Sequence, residues 1–447
     1  MSPAPTERFP PGPPPSFGRT LFGPFRRDPL QFFSDMARDY GDVAGLQLFT
    51  FRTIFVNHPD LIEDVLVTNA RKFHKGRVLK ANKRLFGEGL LTSEGETWLR
   101  QRRLAQPAFH RARVAAYAET MVQYAERAMA PWRHGEARDI HAEMMRVTLQ
   151  IVGKTLFDSD VAGDAREVGE TLEILLRMAA NFGRTILIPL WIPTPRNIRA
   201  EFGIRRLEKI IYRIIAERRA SGRDTGDLLS MMLAARDEDG SRMTDHQLRD
   251  ETITLFLAGH ETTANALSWT WWLLAQNTAA EKKFHEELDG VLGGSAPSLD
   301  DLSRLPYLNN VLTESLRLYP PAWGIARLTA EKHELAGYPL YPGMGVAFAQ
   351  WVMHRDARWF DAPEEFRPER WENGLAKRLP RFAYFPFGGG PRQCIGNAFA
   401  LMEAALVLAT IGQKFRFRLV PGHRVVALAS ITLRPRHGIR VTLESRR

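Results

Sequence analysis

Residues Phe385 to Gly396 read Phe-Pro-Phe-Gly-Gly-Gly-Pro-Arg-Gln-Cys-Ile-Gly, and Cys394 is the single cysteine in a chain of 447 residues. Three consecutive glycines followed by Pro391 exclude a regular helix or strand, because glycine is costly to order and proline lacks the amide donor. From Ile395 the sequence turns into Ile-Gly-Asn-Ala-Phe-Ala-Leu-Met-Glu-Ala-Ala-Leu, an Ala- and Leu-rich helix signal. Cys394 is therefore expected at a helix N-terminus, where free amides and the helix dipole favour a thiolate. A thiolate held in a glycine loop can ligate iron. A lone cysteine is more often just a small buried side chain. Here Gly388, Gly389, Gly390 and Gly396 leave room for a flat cofactor or a close backbone, and Arg392 sets a fixed cation two residues from the sulfur.

This loop resembles the haem-binding loop of the cytochrome P-450 superfamily, whose pattern is Phe, two residues, Gly, one residue, Arg, one residue, Cys, one residue, Gly. Phe387, Gly390, Arg392, Cys394 and Gly396 match every specified position. The resemblance implies a mainly α fold with small β-sheets, in which a long central helix crosses a haem and the Cys-ligand loop lies on the opposite face. It also implies haem b as cofactor, with Cys394 as the axial thiolate.

Length alone would allow about three domains. Apart from a Pro-rich start, no linker, repeat or low-complexity tract divides the chain, so one haem-thiolate domain is expected over residues 21–447 behind a Pro-rich segment 1–20. That segment holds seven prolines and no apolar run, which predicts neither signal peptide nor membrane anchor, and hence a soluble, cytoplasmic protein. One cysteine permits no intramolecular disulfide. The 61 Lys and Arg against 51 Asp and Glu give a net charge of +10. No basic run interleaved with aromatics suggests nucleic acid. Basic clusters at Arg100, Arg102 and Arg103 and at Lys377, Arg378 and Arg381 suit instead an acidic protein partner.

Along the chain, Asp28 is expected to cap a helix through Tyr40, ahead of strands over 43–48 and 52–56. Residues 71 to 93 show no period and read as a long loop. A helical stretch follows from Glu94 towards Pro107, with Trp98 and Arg102 four apart on one face. By spacing alone the pair is equally a solvated basic face with one core tryptophan; the resemblance implies that both bind haem propionates, as does Arg327 further on. Helical patterns run over 111–132, 138–157, 163–183 and 198–221, the last two separated by an apolar, proline-rich break. Thr244 can cap a very long helix to about Gln276, whose middle reads Ala258-Gly259-His260-Glu261-Thr262-Thr263. Glycine and two threonines sacrifice helix propensity there. Locally, Gly259 could serve close packing and Thr262 could return its hydroxyl to a backbone carbonyl. The resemblance to the family's Ala-Gly-x-Glu-Thr signature implies that Ala258 and Gly259 clear space over the haem while Glu261 and Thr262 deliver protons.

Glu314 and Arg317 lie three apart on a helix over 305–318, which by itself is an ordinary surface pair. The family joins them to a second arginine, here Arg370, in a buried structural network; Trp371 stands where phenylalanine is usual. His354 has no second ligand at metal spacing and reads as structural. After 415 the chain alternates as strands, with Ser430 to Pro435 resembling the family's C-terminal hairpin.

These residues imply a haem-dependent monooxygenase that places one atom of dioxygen into an apolar substrate such as a fatty acid, terpenoid or steroid. Electrons are expected from a separate ferredoxin or flavodoxin and its reductase, with NAD(P)H acting only through them, and the chain is expected as a monomer. A haem-thiolate peroxygenase or isomerase and a non-enzymatic haem sensor are the rivals. Apolar residues including Val78, Leu79, Phe86, Leu90, Phe182, Phe256, Trp323 and Ile325 are expected either near the substrate or in the core, and Arg84 or Arg184 either anchors a carboxylate or, as long basic side chains usually do, faces water.

Overall fold

The computed structural model describes residues 8–14, 19–48, 51–77, 79, 83–158, 192–222, 226–237 and 239–446. Their fold is mainly helical with small β-sheets. They gather into two compact units, each assembled from separated stretches: Met1–Ala81, Ala322–Glu365 and Gly374–Cys394 in the first, and Asn82–Pro321, Phe366–Asn373 and Ile395–Arg447 in the second.

The first unit is built on a five-stranded sheet, in the order Val43–Leu48, Phe51–Val56, Gly345–Phe348, Ile325–Thr329, Phe73–Lys75. Phe51–Val56 runs parallel to Gly345–Phe348 and the other pairs are antiparallel. Side chains alternate across a strand, so its two faces build two cores. Ile54 and Val56 pack with Phe382 and Phe385 at the entrance to the cysteine loop, whereas Phe55 packs with Met36 of the helix Pro29–Tyr40. Asp28 caps that helix by accepting from the amides of Leu30 and Gln31, both at 3.1 Å.

The second unit is organised around the helix Asp245–Gln276, which packs against the helices Ile140–Phe157, Pro306–Leu318 and Asn397–Lys414. Thr244 and Gln247 close a capping box at its start. Its residues are buried on nearly all sides, including polar ones such as Glu251, His260, Glu261 and Asn265. A three-stranded sheet joins Ala137–Asp139, Arg440–Ser445 and Phe415–Leu419, and a short hairpin pairs Ala427–Ala429 with Leu433–Pro435. No described helix is long and apolar enough to cross a membrane.

The stretch 71–93 is more regular than its aperiodic sequence suggests. Phe73–Lys75 forms an edge strand on Ile325–Thr329, and Lys83–Phe86 a short helix. Both depend on partners far along the chain, which a local pattern cannot reveal. The pattern over 111–132 divides into Arg111–Ala116 and Ala118–Met129. The helix expected over 163–183, most of the apolar break after it, and Val78, Phe182 and Arg184 lie outside the described residues.

Candidate functional site

The cysteine loop is shaped by close backbone approaches within the first unit. Gly390 has φ +69°, and a Cβ there would fall 1.8 Å from the carbonyl oxygen of Leu66. No side chain fits between those two backbones. Gly389 is extended, and its missing Cβ leaves room for the Phe382 ring, which would otherwise stand 2.4 Å away. The amide of Cys394 donates to the carbonyl of Phe387 at 3.0 Å, and that of Gln393 to Gly390 at 3.1 Å. His354 holds the entrance: it is fully buried, and its Nε2 accepts the amide of Phe385 at 3.0 Å. Its structural role thus has a definite object, the start of the loop. Cys394 emerges exposed, three residues ahead of the helix Asn397–Lys414, whose N-cap is Gly396.

In the second unit, the middle of the long helix presents two adjacent stripes. Ala258 and Thr262 stand one turn apart on its accessible side: Ala258 is exposed, Thr262 and Gly259 are half-buried, while Leu257, His260, Glu261 and Thr263 are buried. Thr262 Oγ1 donates to Ala258 O at 2.7 Å, so its hydroxyl proton is committed to the backbone and its lone pairs remain on the accessible side. A Cβ on Gly259 would approach Val152 Cγ2 to 3.3 Å, so this glycine serves close helix packing. Both local explanations for the irregular patch are therefore present, and the accessible stripe exists beside them.

Glu261 turns to the other stripe. Its carboxyl accepts from Thr432 Oγ1 at 2.8 Å, and it makes no hydrogen bond with Thr262. Burial raises the Glu261 pKa above the usual carboxylate range; the Thr432 hydrogen bond and the Arg434 charge oppose this without cancelling it. Neighbouring His260 is pushed down to about 3 by burial and by His141, and stays neutral. On the helix Asn397–Lys414, Glu403 is fully buried and raised well above its usual value by burial, while the Thr263 hydroxyl donates to Gly259 O at 3.1 Å.

Glu314, Arg317 and Arg370 form one buried cluster. Arg317 grips Glu314 with Nε at 2.9 Å and Nη2 at 2.8 Å, Arg370 Nε donates at 2.9 Å, and the Arg367 amide at 3.0 Å. Trp371 Nε1 adds a fifth donor at 2.8 Å, which the usual phenylalanine could not supply. Burial acts to raise the Glu314 pKa, but the two guanidinium groups and the amide outweigh it and hold the carboxyl below its ordinary value.

The remaining expected residues are distributed over both units. Trp98 and Arg102 stand one turn apart on the helix Gly95–Ala105, each half-buried, with Arg102 Nε on Gln106 at 3.1 Å. Arg327 and Arg392 lie half-buried in the first unit, Arg327 on the edge-side strand and Arg392 at the end of the turn Gly390–Arg392. Phe86, Leu90 and Phe256 are buried in the second unit; Trp323 and Ile325 are half-buried in the first. Arg84 donates to both oxygens of Glu201, at 2.6 and 3.1 Å, and to Glu208 at 3.0 Å. It is an intramolecular strap and not a waiting anion site.

These features suit a haem. Among the described residues no three His, Cys, Asp or Glu side chains gather to hold a bare metal ion. The available donor is one exposed sulfur on a braced loop, which fits iron whose equatorial ligands come from a porphyrin. Trp98, Arg102, Arg327 and Arg392 offer N–H donors of the kind that carboxylates accept.

Residues 9–438 match the family model described as Cytochrome P450. The chain is 40% identical to the cyclooctatin synthase of Streptomyces melanosporofaciens, covering 89% of this chain and 88% of that one. It is 37% identical to the cyclooctat-9-en-7-ol 5-monooxygenase of the same organism, over 92% and 90% of the two chains. The pentalenene oxygenase of Streptomyces avermitilis is 35% identical over 93% of each.

Proposed function

The chain belongs to the cytochrome P450 family and is a haem-dependent monooxygenase, and from that premise we propose that it oxygenates a neutral cyclic terpenoid. The observation that carries this choice is Arg84. Engaged with Glu201 and Glu208, it offers no anchor for a fatty-acid carboxylate. The relatives named for cyclooctat-9-en-7-ol and pentalenene point to the same class.

Cys394 is the residue to hold the iron, with Trp98, Arg102, Arg327 and Arg392 on the propionates. The bound haem supplies oxygen activation, consuming dioxygen, two electrons and two protons to place one oxygen atom in the substrate and release the other as water. The tight turn at Gly390 fixes where the sulfur emerges, and the amide bond from Cys394 to Phe387 orients its backbone. Thr262 accepts a hydrogen bond on the accessible stripe with its lone pairs, its own proton being held by Ala258. Glu261, whose pKa burial raises, is the nearby acid. Glu314 with Arg317, Arg370 and Trp371 stiffens the protein around this machinery and takes no part in proton transfer.

Electrons come from a separate acidic ferredoxin or flavodoxin, drawn to basic residues such as Lys377, Arg378 and Arg103, which are exposed. Turnover with such a partner should slow as salt screens the attraction. We place the protein in the cytoplasm as a monomer.

Absorption titration of the ferric protein tests the substrate class. Cyclic terpene alkenes and alkenols should give a saturable low-spin to high-spin shift, whereas fatty acids should give none. A saturable shift with fatty acids alone would overturn the proposal.

A further inference from the structure

Glu261, Asn265 and Trp269 recur every four residues on the long helix, and all three engage the same two residues of the C-terminal hairpin. Thr432 Oγ1 donates to Glu261 Oε1 at 2.8 Å, Asn265 Nδ2 donates to Thr432 Oγ1 at 3.2 Å, and Trp269 Nε1 donates to Leu433 O at 3.0 Å. The hairpin is held from its other side as well, because the Leu433 amide donates to Pro321 O at 2.9 Å. Glu261, Asn265 and Thr432 are 3%, 0% and 6% exposed, so solvent does not substitute for these bonds.

A threonine hydroxyl carries one proton. With Asn265 donating to its oxygen, Thr432 directs that proton to Glu261. Asn265 Oδ1 is buried without a hydrogen-bond partner, so the amide accepts an unsatisfied carbonyl while keeping its N–H on Thr432. A valine at 432 would keep the shape and remove the one side-chain hydroxyl that, among the described residues, donates to the Glu261 carboxyl.

We propose that Thr432 is a positioning residue for Glu261, holding its carboxyl on the hairpin so that proton supply to the Thr262 stripe depends on the hairpin's placement. This rests on the proton-delivery reading above. It gives the hairpin a part in the reaction distinct from shaping a substrate wall. When the hold is lost, dioxygen that has taken two electrons and two protons leaves as hydrogen peroxide instead of yielding product and water.

The test compares Thr432→Val and Thr432→Ser with the wild type in the full-length haem protein. Infrared spectroscopy identifies the Glu261 carboxyl band by its disappearance in Glu261→Gln. Thr432→Val should move that band to higher frequency, and Thr432→Ser should leave it in place. In turnover, product formed per dioxygen consumed should fall about fivefold in Thr432→Val, the weight of one neutral hydrogen bond, with peroxide making up the difference, KM unchanged and Ser restoring the ratio. A band unmoved by Thr432→Val, or a moved band with unchanged coupling, would overturn the proposal. A wild type that forms no oxygenated product would refute the proton-delivery reading instead, and the infrared band would still show whether Thr432 holds Glu261.

Discussion

Glu314 and Glu261 are two nearly solvent-free glutamates in the same unit, and their surroundings shift their pKa values in opposite directions. Five donors from Arg317, Arg370, Arg367 and Trp371 converge on Glu314, so burial fails to neutralise it. One neutral hydroxyl reaches Glu261, and burial prevails. The difference teaches that burial alone does not set the direction of a pKa shift: a carboxylate saturated with charged donors is held low, whereas a sparsely bonded carboxyl is pushed up.

Breaking the brace should have the largest effect. Glu314→Ala leaves two guanidinium groups buried without their carboxylate and should cost about 3–5 kcal/mol in urea unfolding, with little haem incorporated at purification. Normal haem loading and an unchanged midpoint would show that the cluster is incidental. Trp371→Phe keeps the ring but removes one charge-assisted bond, and should cost about 1.5–3 kcal/mol in the same measurement.

The other glutamate should tolerate loss of its acid. Glu261→Gln keeps the shape and the acceptor facing Thr432, so its stability at neutral pH should stay within about 1 kcal/mol of wild type, while product formed per dioxygen falls. A large destabilisation would make Glu261 a second brace.

The subtlest contrast is in pH dependence. Because the folded pKa of Glu261 is raised, its contribution to stability is present below the ordinary carboxyl range and is lost as pH rises through the folded value. For Glu314, whose folded pKa is lowered, the contribution is present above the ordinary range and lost as pH falls through the folded value. The stability difference between wild type and Glu261→Gln should therefore shift against the wild type as pH rises. A flat difference would remove the distinction between the two glutamates.

Much of this was legible in the residues themselves. Thr244 with Gln247, the run to Gln276 and the Gly-Gly-Gly-Pro loop carry their conformations locally. Pairing Glu314 with Arg317 needs only helical spacing. The Trp371 donor and the Thr432 hold span 57 and 171 residues of sequence, and no local period encodes them. The same holds for Gly390, whose requirement for glycine comes from the Leu66 backbone far upstream, and for Arg84, whose partners on the helix Pro195–Ser221 decide that it is a strap.

Cys394 as iron ligand remains the claim on which the rest depends. The absorption spectrum of the reduced, carbon monoxide-bound protein tests it most directly. Wild type should show the strongly red-shifted Soret band of a thiolate-ligated carbonyl complex, and Cys394→His should replace it with the shorter-wavelength band of a histidine-ligated one. A histidine-type band in the wild type, or a red-shifted band that survives in Cys394→His, would contradict the account.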